Sequence, residues 1–227
     1  MFAVMFRPML VSLCLSVFLL VACSEPARPT VNLHRAVGIG DLDQVKRHVY
    51  WDTDLDQPNA QGDYPLHVAA RQGSVNVTRA LLEAGADPSV RDAAGATPLQ
   101  VALLTGKTQV AKDIIAHGVP LEPNALLLEL ADAGISDRDS FELLLRQGAG
   151  LNRIGPDGDT ALTLAIKRGH LETVARLILL GVDVNQPDAQ GRQPLDVALE
   201  HAGGRRDDRT QIVERLQRLG ALSANTH

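Results

Sequence analysis

Seven histidines and two cysteines are the side chains of this 227-residue chain best suited to hold a metal or to exchange protons near neutral pH. Their spacing supports neither use. The chain has no H-E-x-x-H, no C-x-x-C and no two histidines four residues apart, so no helix face gathers a pair of ligands. Serine offers no nucleophile: there is no G-x-S-x-G, and Ser74, Ser89, Ser136, Ser140 and Ser223 fall in turns or at helix starts. Gly38-Ile39-Gly40 is a G-x-G with no strand before it and reads as a turn between helices. The expectation is therefore no catalytic residue, no metal ligand and no cofactor.

The order in the chain is repetition. Pro65 and Pro98, Gly85 and Gly118, Gly148 and Gly181, and Thr160 and Gln193 each stand 33 residues apart. A period of this length marks a stacked array of small supersecondary units. In the unit from Tyr64 to Ala96, Pro65 suits the first turn of a helix, where its missing N–H costs nothing. Leu66, Val68, Ala69 and Ala70 make that helix short and small-sided, and Gly73 ends it. Val77, Ala80, Leu81 and Leu82 give a second helix closed by Gly85, and Asp92-Ala93-Ala94-Gly95 turns the chain into the next unit. Neither helix can bury its apolar face alone, so neighbouring units must stack to close a core.

The strings "YPLHVAARQG" and "LLEAGAD" resemble the ankyrin repeat, with its T-P-L-H, A-A-x-x-G and L-L-x-x-G-A-D pattern. The resemblance implies an all-α repeat solenoid, a stack of about six helix-turn-helix units with short β-hairpin-like turns. It covers residues 32–222, with units near 31–63, 64–96, 97–121, 122–159, 160–192 and 193–222, and a tail at 223–227. The first unit keeps Leu33, His34, Ala36 and Gly40 and reads as an N-terminal cap. The fourth is degenerate: Gly134 to Gly148 is 14 residues, against 12 for Gly73 to Gly85. The last carries "GGRRDDR" between its helices. His67, at the T-P-L-H position, is implied to hydrogen-bond the turn, with His34 as its counterpart. Gln100, Thr163 and Asp196 follow at that position, so no histidine ladder forms.

The family holds partners with hairpin tips and the edge of each first helix, which together line a concave groove. Carried over by position, the tips are Ala60, Gln61 and Asp63; Arg91, Ala93, Ala94 and Ala96; Pro156, Asp157 and Asp159; and Ala189, Gln190 and Arg192. The helix edges are Arg71–Gln72, Leu104–Thr105, Lys167–Arg168 and Glu200–His201. From these, Arg71, Gln72, Arg91, Leu104, Thr105, Asp157, Lys167, Arg168, Arg192 and His201 are the expected protein-binding residues. Two edges are basic in an acidic chain and suit an acidic partner patch, although solvated helix edges are commonly Lys or Arg. Leu104 is expected to be an exposed apolar anchor. Tyr50–Trp51 is either an interface pair or a cover for the open end of the stack.

Arg7, then an apolar run from Met9 to Val21, then Ala22 form a secretory signal peptide over residues 1–22, too short to span a bilayer. "LVAC" at Leu20 to Cys23 resembles the bacterial lipobox, which implies that Cys23 carries lipid and that residues 23–31 form a tether. With Cys14 removed and Cys23 acylated, no thiol remains for a disulfide. Several acyl chains give stable attachment, and Ser24 after the cysteine implies the periplasmic face of the outer membrane. The nine steps from Cys23 to Asn32 reach at most about 30 Å, enough to stand the repeats clear of the headgroups.

Net charge is −5, or −6 without Arg7, and "GGRRDDR" is the one short basic cluster. Nucleic-acid binding would need a basic face. Phe2, Phe6 and Phe18 lie in the signal, and the four remaining aromatic residues cannot build a base-stacking platform. The expectation is a monomeric, non-enzymatic module that binds a protein partner and is held at the membrane by its lipid. Such lipoproteins resemble two sorts of adaptor: one supports an envelope or stress-defence enzyme, the other is an immunity protein against a periplasm-delivered toxin. An envelope hydrolase is the alternative of another class, and a host-directed effector a third; the lipobox argues against the last.

Overall fold

The computed structural model describes residues 25–201 and 206–223, and among these residues it has twelve α-helices and no strand. They fall in pairs: α1 Leu33–Gly38 and α2 Leu42–Tyr50; α3 Pro65–Gln72 and α4 Val75–Glu83; α5 Pro98–Leu104 and α6 Thr108–Ala116; α7 Pro123–Asp132 and α8 Arg138–Arg146; α9 Ala161–Arg168 and α10 Leu171–Leu179; α11 Pro194–His201 and α12 Arg206–Arg218. The odd-numbered helices stack on one another as one row. The even-numbered helices form a second row, continuous from α2 to α8 and resumed from α10 to α12. This is the expected helix-turn-helix solenoid. The last stretch of "GGRRDDR", from Arg206, is helical and opens α12.

Local chemistry sets the helix ends. Pro65, Pro98 and Pro123 occupy the first helical turn. Thr97 and Thr160 cap α5 and α9 in reciprocal capping boxes with Gln100 and Thr163. Gly73 closes α3 at φ 74°, a left-handed conformation that a β-carbon disfavours, and its N–H bonds the carbonyls of Ala69 and Ala70. The core lies between the rows. Leu66, Ala69 and Ala70 face Val77 and Leu81, and Leu162, Ala165 and Ile166 face Val174 and Leu177, all buried. Alanine at the second of these positions in both helices, and at the third in α3, lets consecutive helices approach closely.

Four turns between units are tied in one pattern. The N–H groups of Asn59, Asp92, Gly155 and Asp188 donate to the carbonyls of Asp63, Ala96, Asp159 and Arg192. In three of them a side chain locks the turn as well. Asn59 Oδ1 accepts from Gln61 and Asp63, Asp92 Oδ1 from Ala94 and Ala96, and Asp188 Oδ1 from Gln190 and Arg192. His34 Nε2 and His67 Nε2 bond the carbonyls of Asp63 and Ala96 at 3.1 and 2.8 Å, so both rings do hold the turns.

The fourth unit departs from this plan. Gly134 (φ 73°) matches Gly73, and Leu127, Leu130 and Ala131 match Leu66, Ala69 and Ala70. By that register Leu126 stands where Pro65 does, yet α7 begins earlier, at Pro123. The added helical residues use the chain that would otherwise make a tip, and no tied turn precedes α7 among the described residues. Polar bonds hold the irregular loop that follows. His170 Nε2 meets the Asp132 carbonyl at 3.0 Å, and Thr173 Oγ1 donates to Ile135 O at 3.0 Å. Arg176 Nε donates to Ser136 O at 2.8 Å.

From Pro26 on, the segment expected to be a tether lies against the first unit. Trp51 Nε1 donates to Pro26 O at 3.2 Å, the Arg28 guanidinium stands 4.6 Å above the indole ring, and His48 Nε2 meets Val31 O at 2.8 Å. Its extended reach is therefore not realised beyond Pro26. The signal peptide and Cys23 lie outside the described residues.

Candidate functional site

Most of the residues expected to face a partner are committed within the molecule. Arg71 makes a two-pronged pair with Asp63, both bonds 2.8 Å, and its hydrogen bonds hold the Asp63 carboxyl below its usual range. Gln72 Nε2 donates to Gly38 O at 2.6 Å, and Arg91 Nη1 to Gly95 O at 2.7 Å. Thr105 Oγ1 bonds back to Val101 O at 2.7 Å. Lys167 pairs with Asp159 and Arg168 with Asp132, each at 2.6 Å. Arg192 pairs with Asp188, whose carboxyl is pushed up by burial and pulled down by more, namely the backbone and side-chain N–H groups of Arg192 and the N–H of Gln190; the net direction is down. Leu104 is not the exposed anchor expected; it is half-buried and packs against the core. His201 ends α11, and its side chain lies outside the described residues.

Basic edges already neutralised by carboxylates are poor attractors for an acidic partner. The expectation of an acid-seeking face overlooked a rule visible in the period. Asp63 and Arg71, Ala96 and Leu104, Asp159 and Lys167, and Arg192 and Glu200 occupy the same two positions of the second, third, fifth and sixth units. The combinations are acid with base, apolar with apolar, acid with base, then base with acid, and the first and third are ion pairs.

Three of the expected residues do come together. Asp157, Lys167 and Arg168 line a cleft of about 570 Å³ between the fourth and fifth units. Its other wall is supplied by Ala125, Leu128, Glu129 and Asp132 of α7, and Leu164 of α9 also lines it. The cleft exists because the fourth unit has no tip: α7 presents its side to the turn of the fifth. That turn is altered to match. Where Asn59, Asp92 and Asp188 lock their turns, the fifth unit has Gly155, and a β-carbon there would lie 2.5 Å from Leu128 Cδ1. The turn keeps its backbone tie, and at Gly158 (φ 89°) its carbonyl accepts from Ala189 N at 2.8 Å, joining it to the next turn.

The polar lining is uneven. Asp132 and Asp159 are matched by Arg168 and Lys167. Glu129 accepts one hydrogen bond, from Gln100 Nε2 at 2.9 Å, and Asp157 is exposed; among the described residues neither has a cation partner. Two uncompensated carboxylates thus face a cavity with Leu128, Leu164, Ala125 and Pro156 in its walls. Sequence reasoning missed the α7 contribution. The signals were the 14-residue spacing in the fourth unit and the glycine at 155 in place of Asn or Asp.

Comparison with known proteins fits this architecture. A family model described as ankyrin repeats (3 copies) matches residues 33–125 and 128–221. The chain belongs to the ankyrin-repeat family. Cyclin-dependent kinase 4 inhibitor B of Mus musculus is 34% identical to this ankyrin-repeat chain over 145 residues, 64% of the chain and 87% of that protein. A transient receptor potential cation channel subfamily A member 1 homolog of Caenorhabditis elegans is 31% identical over 151 residues, 65% of the chain but only 12% of the channel's own length. Among solved structures, a chain from the predatory endopeptidase Bd0816 of Bdellovibrio bacteriovorus in complex with immunity protein Bd3460 superposes with a TM-score of 0.60. It is 25% identical, with 82% of this chain and 96% of that chain covered. The ankyrin fold suggests protein–protein interaction and is generally a non-enzymatic interaction module.

Proposed function

We propose that this ankyrin-repeat protein is a membrane-tethered adaptor that holds an enzyme of the bacterial envelope, at the periplasmic face of the outer membrane. The observation that carries the binding role is the interrupted stack. A regular row of tips and inner helices opens, between α7 and the fifth turn, into a cleft with apolar walls and unbalanced charge. The lipobox-like "LVAC" before Cys23 supports the tether, and the acidic balance of −5 suits a protein partner better than nucleic acid. Among the described residues the cleft holds two carboxylates paired with cations and two, Glu129 and Asp157, without one, and no nucleophile stands beside a base, so a hydrolase reading has no residue set to stand on.

A second reading is an immunity protein that neutralises a toxin delivered into the periplasm. The likeness to a chain from an endopeptidase–immunity protein complex favours it. The two readings differ in affinity and in partner. An immunity role entails one partner held at sub-nanomolar dissociation constant, on the order of 12 kcal/mol or more of binding free energy. Enzyme support entails weaker binding and a stress phenotype on deletion.

The test is affinity capture with the full chain, solubilised in mild detergent, from periplasmic extracts of resting and stressed cells and from extracts of competing, toxin-delivering cells. One stoichiometric partner identified by mass spectrometry supports the adaptor reading. A partner found only in toxin-delivering cells moves the assignment to immunity. Retention of no protein from any of them overturns both.

A further inference from the structure

We infer that the cleft between α7 and the fifth turn receives a basic side chain, lysine or arginine, presented by a partner's loop beside an apolar residue. This rests on the protein-binding reading and specifies the chemistry of its contact. Charge complementarity carries it. Of the four carboxylates lining the cleft, Asp132 and Asp159 are spent on Arg168 and Lys167, while Glu129 and Asp157 lack cation partners among the described residues. An anion entering here would meet two unmatched carboxylates; a cation would be matched by them. Glu129 is half-buried, so solvent screens its attraction for ammonium or guanidinium less than that of the exposed Asp157.

The apolar half of the occupant follows from the other walls. Leu128 and Leu164 are half-buried and line the space, and burying more of their surface favours an apolar neighbour to the cation. A cleft of about 570 Å³ is large enough for a long side chain with an adjoining residue, and too small for a folded element. The preference is opposite to that suggested by the basic sequence pairs Arg71–Gln72 and Lys167–Arg168, because internal ion pairs have consumed those cations.

The probes are two capped tetrapeptides, acetyl-Gly-Leu-Arg-Gly-amide and its Glu counterpart, titrated into isotope-labelled full chain in micelles and followed by amide chemical shifts. The arginine peptide is expected to saturate, with shifts at Leu128, Glu129, Gly155 and Asp157, and the glutamate peptide to bind about tenfold more weakly or worse, the worth of one charge-assisted contact. The double variant Glu129→Gln with Asp157→Asn should lose about tenfold for the arginine peptide. Ala125→Arg, at an exposed lining position, should place a cation in the cleft and abolish binding while the thermal melt stays as in the parent. Equal binding of both peptides, shifts elsewhere, no binding, or indifference to these variants overturns the assignment. A captured protein partner retained at full strength by the double variant would remove this chemistry and leave the adaptor standing. Peptide binding with no captured partner would do the reverse.

Discussion

Lys167 Nζ stands 2.6 Å from Asp159 Oδ1, eight residues back along the chain, and Arg71 meets Asp63 across the same interval at 2.8 Å. Each pair clamps the end of a turn to the helix that follows it. The sixth unit places Arg192 and Glu200 at these two positions, reversed in sign. The order of charge across the two positions is thus not fixed by the repeat. Asp63→Arg combined with Arg71→Glu should restore most of what either single change loses. The coupling energy is expected to be about 0.5–1 kcal/mol, since Arg71 is nearly half exposed and solvent screens the pair. Denaturant melts of the four proteins in a double-mutant cycle measure it; a coupling near zero would mean the pair is incidental.

These carboxylates give the fold a signed dependence on acid. The Asp63 carboxyl is held below its ordinary value of 3.8, first by the hydrogen bonds from Arg71, and Asp188 is also held below. A carboxyl depressed in the folded state contributes stability above its unfolded value, and that contribution is lost as pH falls through the folded value. Asp56, raised by burial, works in the opposite direction and offsets part of the effect. Melting temperature followed from about pH 6 down to about pH 2 should hold level, then fall below about pH 4. The Asp63→Asn variant should show a shallower fall; an identical profile would locate the acid sensitivity elsewhere.

Core substitutions should be felt along the whole stack. Leu81 and Leu177 are fully buried between the two helix rows, and each touches a core shared with neighbouring units. Truncating either to alanine should cost about 2–5 kcal/mol. Because stability here is a sum of unit and interface contributions, the loss should also broaden the unfolding transition as the array divides. A sharp transition with unchanged denaturant slope would argue against such division.

How far the sequence reached can be read from particular residues. The period of 33 placed the helices, Gly73 and the turn-binding histidines because each depends on a position within one unit or on its immediate neighbour. The cleft was not legible in the same way. It arises from an early helix start at Pro123 and from Leu128 standing where the fifth turn would otherwise carry a β-carbon. Both are consequences of a missing tip, and the marks it leaves, the 14-residue spacing and Gly155, do not by themselves show which surfaces come together. The commitments of Arg71, Lys167 and Arg168 were missed because an exposed-looking helix edge was read one position at a time.

The fourth unit should be the first place to open. It makes no tied turn before α7 among the described residues, and its following loop depends on His170, Thr173 and Arg176 bonding three carbonyls. Hydrogen exchange should therefore be fastest over Glu122 to Ile135, ahead of the second and third units. Arg176→Ala leaves the Ser136 carbonyl without this donor and should cost about 1–3 kcal/mol. Exchange in that loop should accelerate selectively. Uniform protection across the units would show that the extra helical residues of α7 pack as well as a regular tip.

The N-terminal segment gives a last test, one that bears on how the repeats sit relative to a lipid anchor. Pro26, Arg28 and Val31 are held by Trp51 and His48, so the domain begins in practice at Pro26. If Cys23 is acylated, three chain steps separate the lipid from the docked segment, a reach of at most about 11 Å. The first unit would then lie close to the headgroups, with Tyr50, about half exposed, beside the clamp. Trp51→Ala removes both the indole donor and the face under Arg28, and should detach residues 25–29 from the first unit while the repeats stay folded. Protease cleavage within the Glu25–Pro29 stretch should rise in the variant, and membrane fractionation should not change. Cys23→Ser should instead move the protein to the soluble fraction. If Cys23→Ser left fractionation untouched, the anchoring argument would fall, and the docked segment would be only the cap of the first unit.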